Sequence, residues 1–251
     1  VLVVAPDYSR PSQEGVFRHY KAVNDSADKP IIIYDVPGRT GLHIQLETYR
    51  RMAELDHVKA VKDATGDIAG AVRKRMETGL IWYSGDDGLF LPFLSVGAVG
   101  IISVIAHAAA GPMRDLANAF DRGDIHEAQR ISVQLAPLVE AMNGNGFQAV
   151  MAKASLKVRG ILDSTEMRLP NVGPGEAELV RAEKGMRAAG LLGTESHDAT
   201  GLSRMNAGRH PNSSFPHRRR QLVIEIQLGN GYRRNHKDNN TQARQQGCQA
   251  H

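Results

Sequence analysis

The sequence predicts an α/β fold built on a parallel sheet. Five short runs rich in apolar and β-branched residues recur: Leu2–Ala5, Pro30–Val36, Val58–Lys62, Leu80–Ser84 and Val99–Ile105. Each has strand length, and several are apolar nearly throughout, the pattern of parallel strands covered on both faces. Stretches of helical length separate them, and strands alternating with helices imply βα units.

Taken in order, the first run leads into Gln13–Ser26 and the second into Leu46–Leu55, both of helical length. After Ile105 the pattern turns helical. Ile125, Ala128, Ile131, Leu135, Leu138 and Met142 recur at spacings of three and four, one face of a helix. Asp124 stands where its N-cap belongs, with Glu127 three residues on, a capping-box signal. Two more helices are expected over roughly Gly146–Gly160 and Gly175–Ala189, forming a layer that braces or oligomerises. From Gly193 the chain becomes rich in Asn, Arg, His and Gln with little periodicity. That segment reads as disordered, with one isolated strand at Leu222–Leu228. The expected units are therefore residues 1–108, 109–192 and 193–251.

Composition narrows the function classes. Hydrophobic residues at 41% and charged residues at 23% match an ordinary globular chain with a sizeable core. No apolar run reaches the roughly 18 residues of a membrane span. Val1–Pro6 is apolar without a preceding basic stretch, so it does not read as a signal peptide, and with no Met ahead of it the chain reads as entered mid-strand. The single cysteine, Cys248, excludes an internal disulfide and is compatible with the cytoplasm. Residues 193–251 carry nine basic and four acidic side chains, so the net +4 charge belongs to the tail. It gives no reason to expect nucleic-acid binding by the main body.

Five βα-type strands fit part of an eightfold barrel or a whole doubly wound sheet. The first strand leads to Asp7-Tyr8-Ser9-Arg10-Pro11, without the glycine fingerprint of a dinucleotide fold. In a βα barrel, reactive groups gather at the C-terminal ends of strands. Those ends are polar here: Tyr8, Tyr34, Arg39 and Lys62 all fall there. Lys62 closes the apolar run Val58-Lys59-Ala60-Val61. A lysine partly desolvated at a barrel mouth suits imine formation, because the neutral amine attacks a ketone. The plain alternative is a solvated strand-end lysine. Tyr34 and Tyr8 can both donate and accept a proton, although strand tyrosines are also ordinary packing residues. Arg39 can clamp a carboxylate with its fork of donors, or be a surface arginine in a turn. Asp86-Asp87 is a weak metal candidate, since no His or further carboxylate stands at ligand spacing. His107 and His126 read as structural or exposed.

The combination says more than its parts. Tyr34-Asp-Val-Pro-Gly-Arg-Thr-Gly41, Val61-Lys62-Asp-Ala-Thr-Gly66, Ser84-Gly-Asp-Asp87 and Gly100-Ile-Ile-Ser103 resemble, in order and spacing, the dihydrodipicolinate synthase family. Pro6-Asp7-Tyr8-Ser9-Arg10-Pro11, followed by Gln13-Glu14-Gly15, is similar to that family's fourth-strand loop. The resemblance covers about residues 1–192. It implies a partial TIM (β/α)8 barrel, strands four to eight, with a C-terminal helical subdomain. It further implies a homotetramer in the cytoplasm, with no cofactor or metal. The implied reaction condenses pyruvate with aspartate semialdehyde on the route to lysine and diaminopimelate. By position, Lys62 matches the Schiff-base lysine and Tyr34 the tyrosine beside the imine. Tyr8 matches the tyrosine donated into a neighbouring subunit's site. Arg39 matches the arginine that binds the aldehyde substrate's carboxylate, and Gly85 and Ile102 match positions lining the pyruvate pocket.

Two departures accompany the resemblance. Asp7 stands where the family usually has a tyrosine. The family's Gly-Thr-Thr-Gly-Glu loop, with its carboxylate-binding threonine, lies upstream of Val1, together with three strands. Five strands alone would leave two unpaired edges, so this chain is expected to aggregate and to be inactive unless the remainder is supplied. The tail from Gly193 has no family match. The rival functions are a sister aldolase, of the N-acetylneuraminate lyase or keto-sugar-acid type, and a non-catalytic fragment. The latter's tail would bind nucleic acid through Arg218–Arg220 and Arg233-Arg234. An arginine after the Pro-Gly turn, suited to a short substrate carboxylate, argues against the sister aldolases.

Overall fold

The computed structural model describes residues 1–144 and 147–193, and the backbone of 221–224. The main-chain order is β1 (Leu2–Val4), α1 (Gln13–Ser26), β2 (Ile31–Asp35), α2 (Pro37–Thr40), α3 (Leu46–Ala53), β3 (Val58–Asp63), α4 (Ile68–Thr78), β4 (Ile81–Ser84), α5 (Phe90–Ser95) and β5 (Gly100–Ser103). The helical layer follows as α6 (Ala106–Asp121), α7 (Ile125–Asn143), α8 (Gln148–Val158) and α9 (Glu176–Ala188), and β6 (Gln221–Ile224) closes the order.

All strands are parallel, and they lie side by side in the order β1-β2-β3-β4-β5-β6. A doubly wound sheet reverses its order at a switch point. This sheet never reverses, so it is the partial barrel rather than the doubly wound alternative. Gln221–Ile224 pairs with β5, from Gly100↔Gln221 to Ser103↔Ile224. The strand expected to stand alone in the tail thus joins the sheet, and the β5 edge expected to be unpaired is covered. Residues 225–228 of that expected strand, Arg218–Arg220, Arg233, Arg234 and Cys248 lie outside the described residues. At the other edge, β1 has no second partner strand among the described residues. Its Leu2 and Val4 are 38% and 44% exposed.

Alternation sorts the strand residues onto two faces. Outward, Ile31, Ile33, Val61 and Trp82 pack with Tyr20 of α1 and Tyr49 and Met52 of α3. Inward, Ala60, Tyr83 and Ile102 form a smaller cluster with Ile32 and Val99. The largest cluster lies among α5 to α9, with Met113, Leu135, Leu138, Met151 and Met186 buried together.

Local chemistry sets the element ends. Ser12 caps α1, Asp67 caps α4 and Asp124 caps α7, each side chain accepting an N–H from three residues on. The short helix α2 replaces the expected Pro-Gly turn, with Pro37 at its first turn, where a missing N–H costs nothing. Gly41 ends it at φ 66°. That left-handed backbone is what requires Gly there. Strand β5 stops at Ser103, short of the expected Ile105, because side chains intercept the next amides. Asp87 Oδ2 accepts from Val104 and Ile105, and Ser103 Oγ accepts from Ala106.

Helix α6 is broken at Ala109, whose φ −134° and ψ 36° are not helical. Pro112 lies three residues on, and its missing N–H orphans the Ala108 carbonyl. Arg159, just past α8, supplies the replacement: its Nη1 donates to Ala108 O at 2.6 Å. Arg159→Met keeps the aliphatic stem but removes this donor. It should lower stability by about 1–3 kcal/mol, read as a reduced urea midpoint with an unchanged denaturant slope.

Candidate active site

Register brings the chemistry into one row. Tyr34 of β2 pairs with Lys62 of β3, Lys62 with Tyr83 of β4, and Tyr83 with Gly100 of β5. The row lies on the inward face. Lys62 is 2% exposed, and its Nζ sits 4.1 Å from the centre of the Tyr34 ring. The π face of a phenol attracts the ammonium form of the amine. Lys59, of opposite parity, is exposed. Ile102 is buried against Ala60 and Tyr83 in the same inward cluster. Gly85 donates its N–H to Asp63 O at 2.6 Å, and a Cβ there would meet that oxygen and the Ala64 Cβ at 3.0 Å. The loop after β4 therefore lies tight against the end of β3, beside Lys62.

Tyr83 was not singled out from the sequence. It has no motif of its own. Only the β3–β4 register reveals it as the neighbour of Lys62. Burial pushes its phenol above the ordinary tyrosine value, so at neutral pH it keeps its proton and can donate.

One residue further along β2 and β3, on the outward face, stand buried acids. Tyr49 Oη donates to Asp35 Oδ2 at 2.8 Å, and Lys74 Nζ lies 3.9 Å from the same oxygen. Trp82 Nε1 donates to Asp63 Oδ2 at 2.9 Å, while the Thr65 amide and hydroxyl donate to Oδ1. These contacts tether the ends of β2 and β3 from behind the row. Asp35 Oδ1 is buried with no hydrogen-bond partner among the described residues. Burial pushes the Asp35 carboxyl up to about 6, against the pull of the Tyr49 hydrogen bond and the Lys74 charge.

A second group of candidates lies in a cleft of about 660 Å³ lined by Asp7, Tyr8, Arg10, Arg39, Thr40 and Gly41. Tyr8 is 98% exposed and adopts a left-handed φ of 52°, a conformation unusual for a bulky side chain. The chain thus groups Tyr8 with Arg39, and Tyr34 with Lys62. Asp87, half of the weak metal candidate, is engaged otherwise. Its carboxylate accepts from Ser103 Oγ, from the Val104 and Ile105 amides and from Asn143 Nδ2. Burial still raises its pKa above the ordinary aspartate value. Asp86 accepts from the Gly88 amide. His107 Nδ1 lies 2.7 Å from the Val104 carbonyl, and His126 is exposed.

A buried lysine in this row, with a tyrosine against it, also lies inside a stretch that known proteins share. Residues 1–187 match the model of the dihydrodipicolinate synthetase family. The chain belongs to that family. A 4-hydroxy-tetrahydrodipicolinate synthase of Bifidobacterium animalis subsp. lactis is 72% identical over 192 residues, covering 76% of this chain and 63% of the relative. The crystal structure of the Thermotoga maritima dihydrodipicolinate synthase matches with a TM-score of 0.71 at 32% identity, over 76% of this chain and 66% of that one. The chloride-inhibited Acinetobacter baumannii enzyme, solved with pyruvate, matches with a TM-score of 0.71 at 31% identity, over 76% of this chain and 66% of that one. The chain spans less than two thirds of the length of these family members.

The Asp35 carboxyl makes a testable statement about pH. Its folded value of about 6 lies above the unfolded one. Between about pH 4 and pH 6 the folded chain keeps a proton that the unfolded chain has released. This group's contribution therefore falls as pH rises across that window and is level above it, a change on the order of 2–3 kcal/mol. Asp35→Asn should remove the effect. Urea midpoints at pH 4.5 and pH 7 should show the variant gaining on the wild type at the higher pH. An identical pH dependence in both proteins would refute the assignment.

Proposed function

We propose that this chain carries the imine-forming site of a pyruvate-dependent class I aldolase, condensing pyruvate with L-aspartate 4-semialdehyde to 4-hydroxy-tetrahydrodipicolinate. The observation that carries the reading is the desolvated Lys62 amine against the Tyr34 ring. The names of the relatives and the pyruvate bound in the Acinetobacter enzyme support it.

The chemistry follows from the row. The Lys62 amine adds to the pyruvate ketone, and loss of water gives an imine. Loss of a C3 proton turns the imine into an enamine, whose carbon attacks the aldehyde of the second substrate. The aldehyde oxygen takes up a proton as the C–C bond forms. The second substrate's amine then displaces Lys62 from the imine carbon and closes the ring. Tyr34 is assigned the proton transfers beside the imine, Gly85 and Ile102 the walls around the keto acid, and Arg39 the aldehyde's carboxylate. Tyr8 is assigned to the site of a neighbouring copy, in keeping with its exposure. The same reading gives a homo-oligomer, tetrameric as the family implies, working in the cytoplasm without a cofactor or metal. Among the described residues no helix is long and apolar enough to cross a membrane.

Borohydride reduction in the presence of pyruvate tests the first step directly. With the family's upstream loop and strands supplied, the wild-type protein should acquire one reduced pyruvate adduct, mapped by peptide mass spectrometry to Lys62, and Lys62→Met should acquire none. Tyr34→Phe should slow adduct formation at least about a hundredfold, the usual contribution of a positioned proton-transfer group. An adduct on another lysine, or one of equal yield in Lys62→Met, would sink the proposal.

A further inference from the structure

Arg39 is exposed, and an exposed arginine normally samples many rotamers. Here it is held from the far side of the chain sequence. Its Nη2 donates to Gln148 Oε1 at 3.2 Å, and its Cζ lies 5.4 Å from the centre of the Phe147 ring. Gln148 Nε2 in turn donates to Asn143 Oδ1 at 3.1 Å, and Asn143 Nδ2 donates to Asp87 Oδ2 at 3.1 Å. The row runs from α2, through the start of α8 and the end of α7, to the loop after β4.

The two ends fix its polarity. A guanidinium only donates, and Asp87 Oδ2, which already faces the Val104 and Ile105 amides, acts there as an acceptor. Asp87 therefore requires the amide nitrogen of Asn143. The Asn143 oxygen then requires the nitrogen of Gln148, which leaves the Gln148 oxygen for Arg39. Neither amide can flip without losing two bonds. Asp87 is itself immobilised by Ser103 and the Val104 and Ile105 amides, so the row is anchored at the end of β5.

We infer that Gln148, oriented by Asn143 and Asp87, is a positioning residue that aims the Arg39 guanidinium at the carboxylate of the second substrate. The helical layer thereby takes part in substrate selection at the barrel mouth. This rests on the carboxylate-binding role of Arg39 given above. It adds a neutral acceptor that holds the arginine without cancelling its charge.

The test uses the full chain and two readouts. Side-chain ¹⁵N spectra report rotation of the Arg39 guanidinium, with the signal assigned by its loss in Arg39→Lys. Titration with succinate semialdehyde, a four-carbon aldehyde carboxylate, reports binding. The wild type should show slowed guanidinium rotation and bind the probe. Gln148→Ala should free the rotation and weaken binding roughly tenfold, as expected for one lost charge-assisted hydrogen bond. Gln148→Glu separates aiming from mere packing: it should keep the guanidinium ordered yet weaken binding at least as much, because the new carboxylate competes with the probe. Unchanged rotation in Gln148→Ala overturns the inference, as does binding that Arg39→Ala abolishes but both Gln148 variants leave intact. Freed rotation in Gln148→Ala with no dependence of binding on Arg39, or no binding by the wild type, supports the hydrogen-bonded row but overturns the role given to Arg39.

Discussion

Parallel pairing in step across β2, β3 and β4 is the constraint on which the site depends. Because side chains alternate, a slip of one residue in β3 would turn Lys62 toward the helices and bring Asp63 into the inward row. The register Tyr34↔Lys62↔Tyr83 is thus a chemical specification as well as a structural one. It places an amine between two phenols in a buried row, where water competes poorly. The outward neighbours protect that register. Asp35 and Asp63 each accept hydrogen bonds from outward side chains, Tyr49 and Trp82, that are themselves buried in the layer beneath the helices. A slipped strand would lose those bonds and bury the acids unpaired.

The same logic extends to the strand ends. Asp87 does for β5 what Asp35 and Asp63 do for their strands, but it works across elements. One carboxylate gathers the Ser103 hydroxyl, two backbone amides at the start of α6 and the Asn143 amide at the end of α7. Buried carboxylates are costly unless satisfied. Those at these strand ends therefore act as fixed points, set by the donors around them, from which the more exposed groups are held.

Much of this was legible in the sequence, for identifiable reasons. The α1 boundaries and the α7 cap follow from local signals, because capping is a contact between residues three apart. Lys62 and Tyr34 were legible from motifs at strand ends. The short helices α2 and α5 were not expected, since one or two turns give too little periodicity to read. Tyr83 was missed because its role depends on which strand lies beside β3. The tie between Arg39 and Gln148 spans 109 positions of sequence, and no local pattern encodes it. The pairing of Gln221–Ile224 with β5 is of the same kind. The tail's composition pointed away from any partner, whereas an open strand edge offers backbone groups to any segment that can reach it.

The break in α6 has a consequence for the order of assembly. The Ala108 carbonyl finds its donor only 51 residues later, in Arg159. Until that arginine arrives, the first helix of the layer carries an unanswered acceptor at its bend. Water can serve it while the chain is open but is excluded once the layer packs. Docking of α8 therefore completes the hydrogen bonding of α6 at its bend. A nascent chain that ends before Arg159 has the residues of α6 and α7 but not the means to finish the joint between them and the barrel.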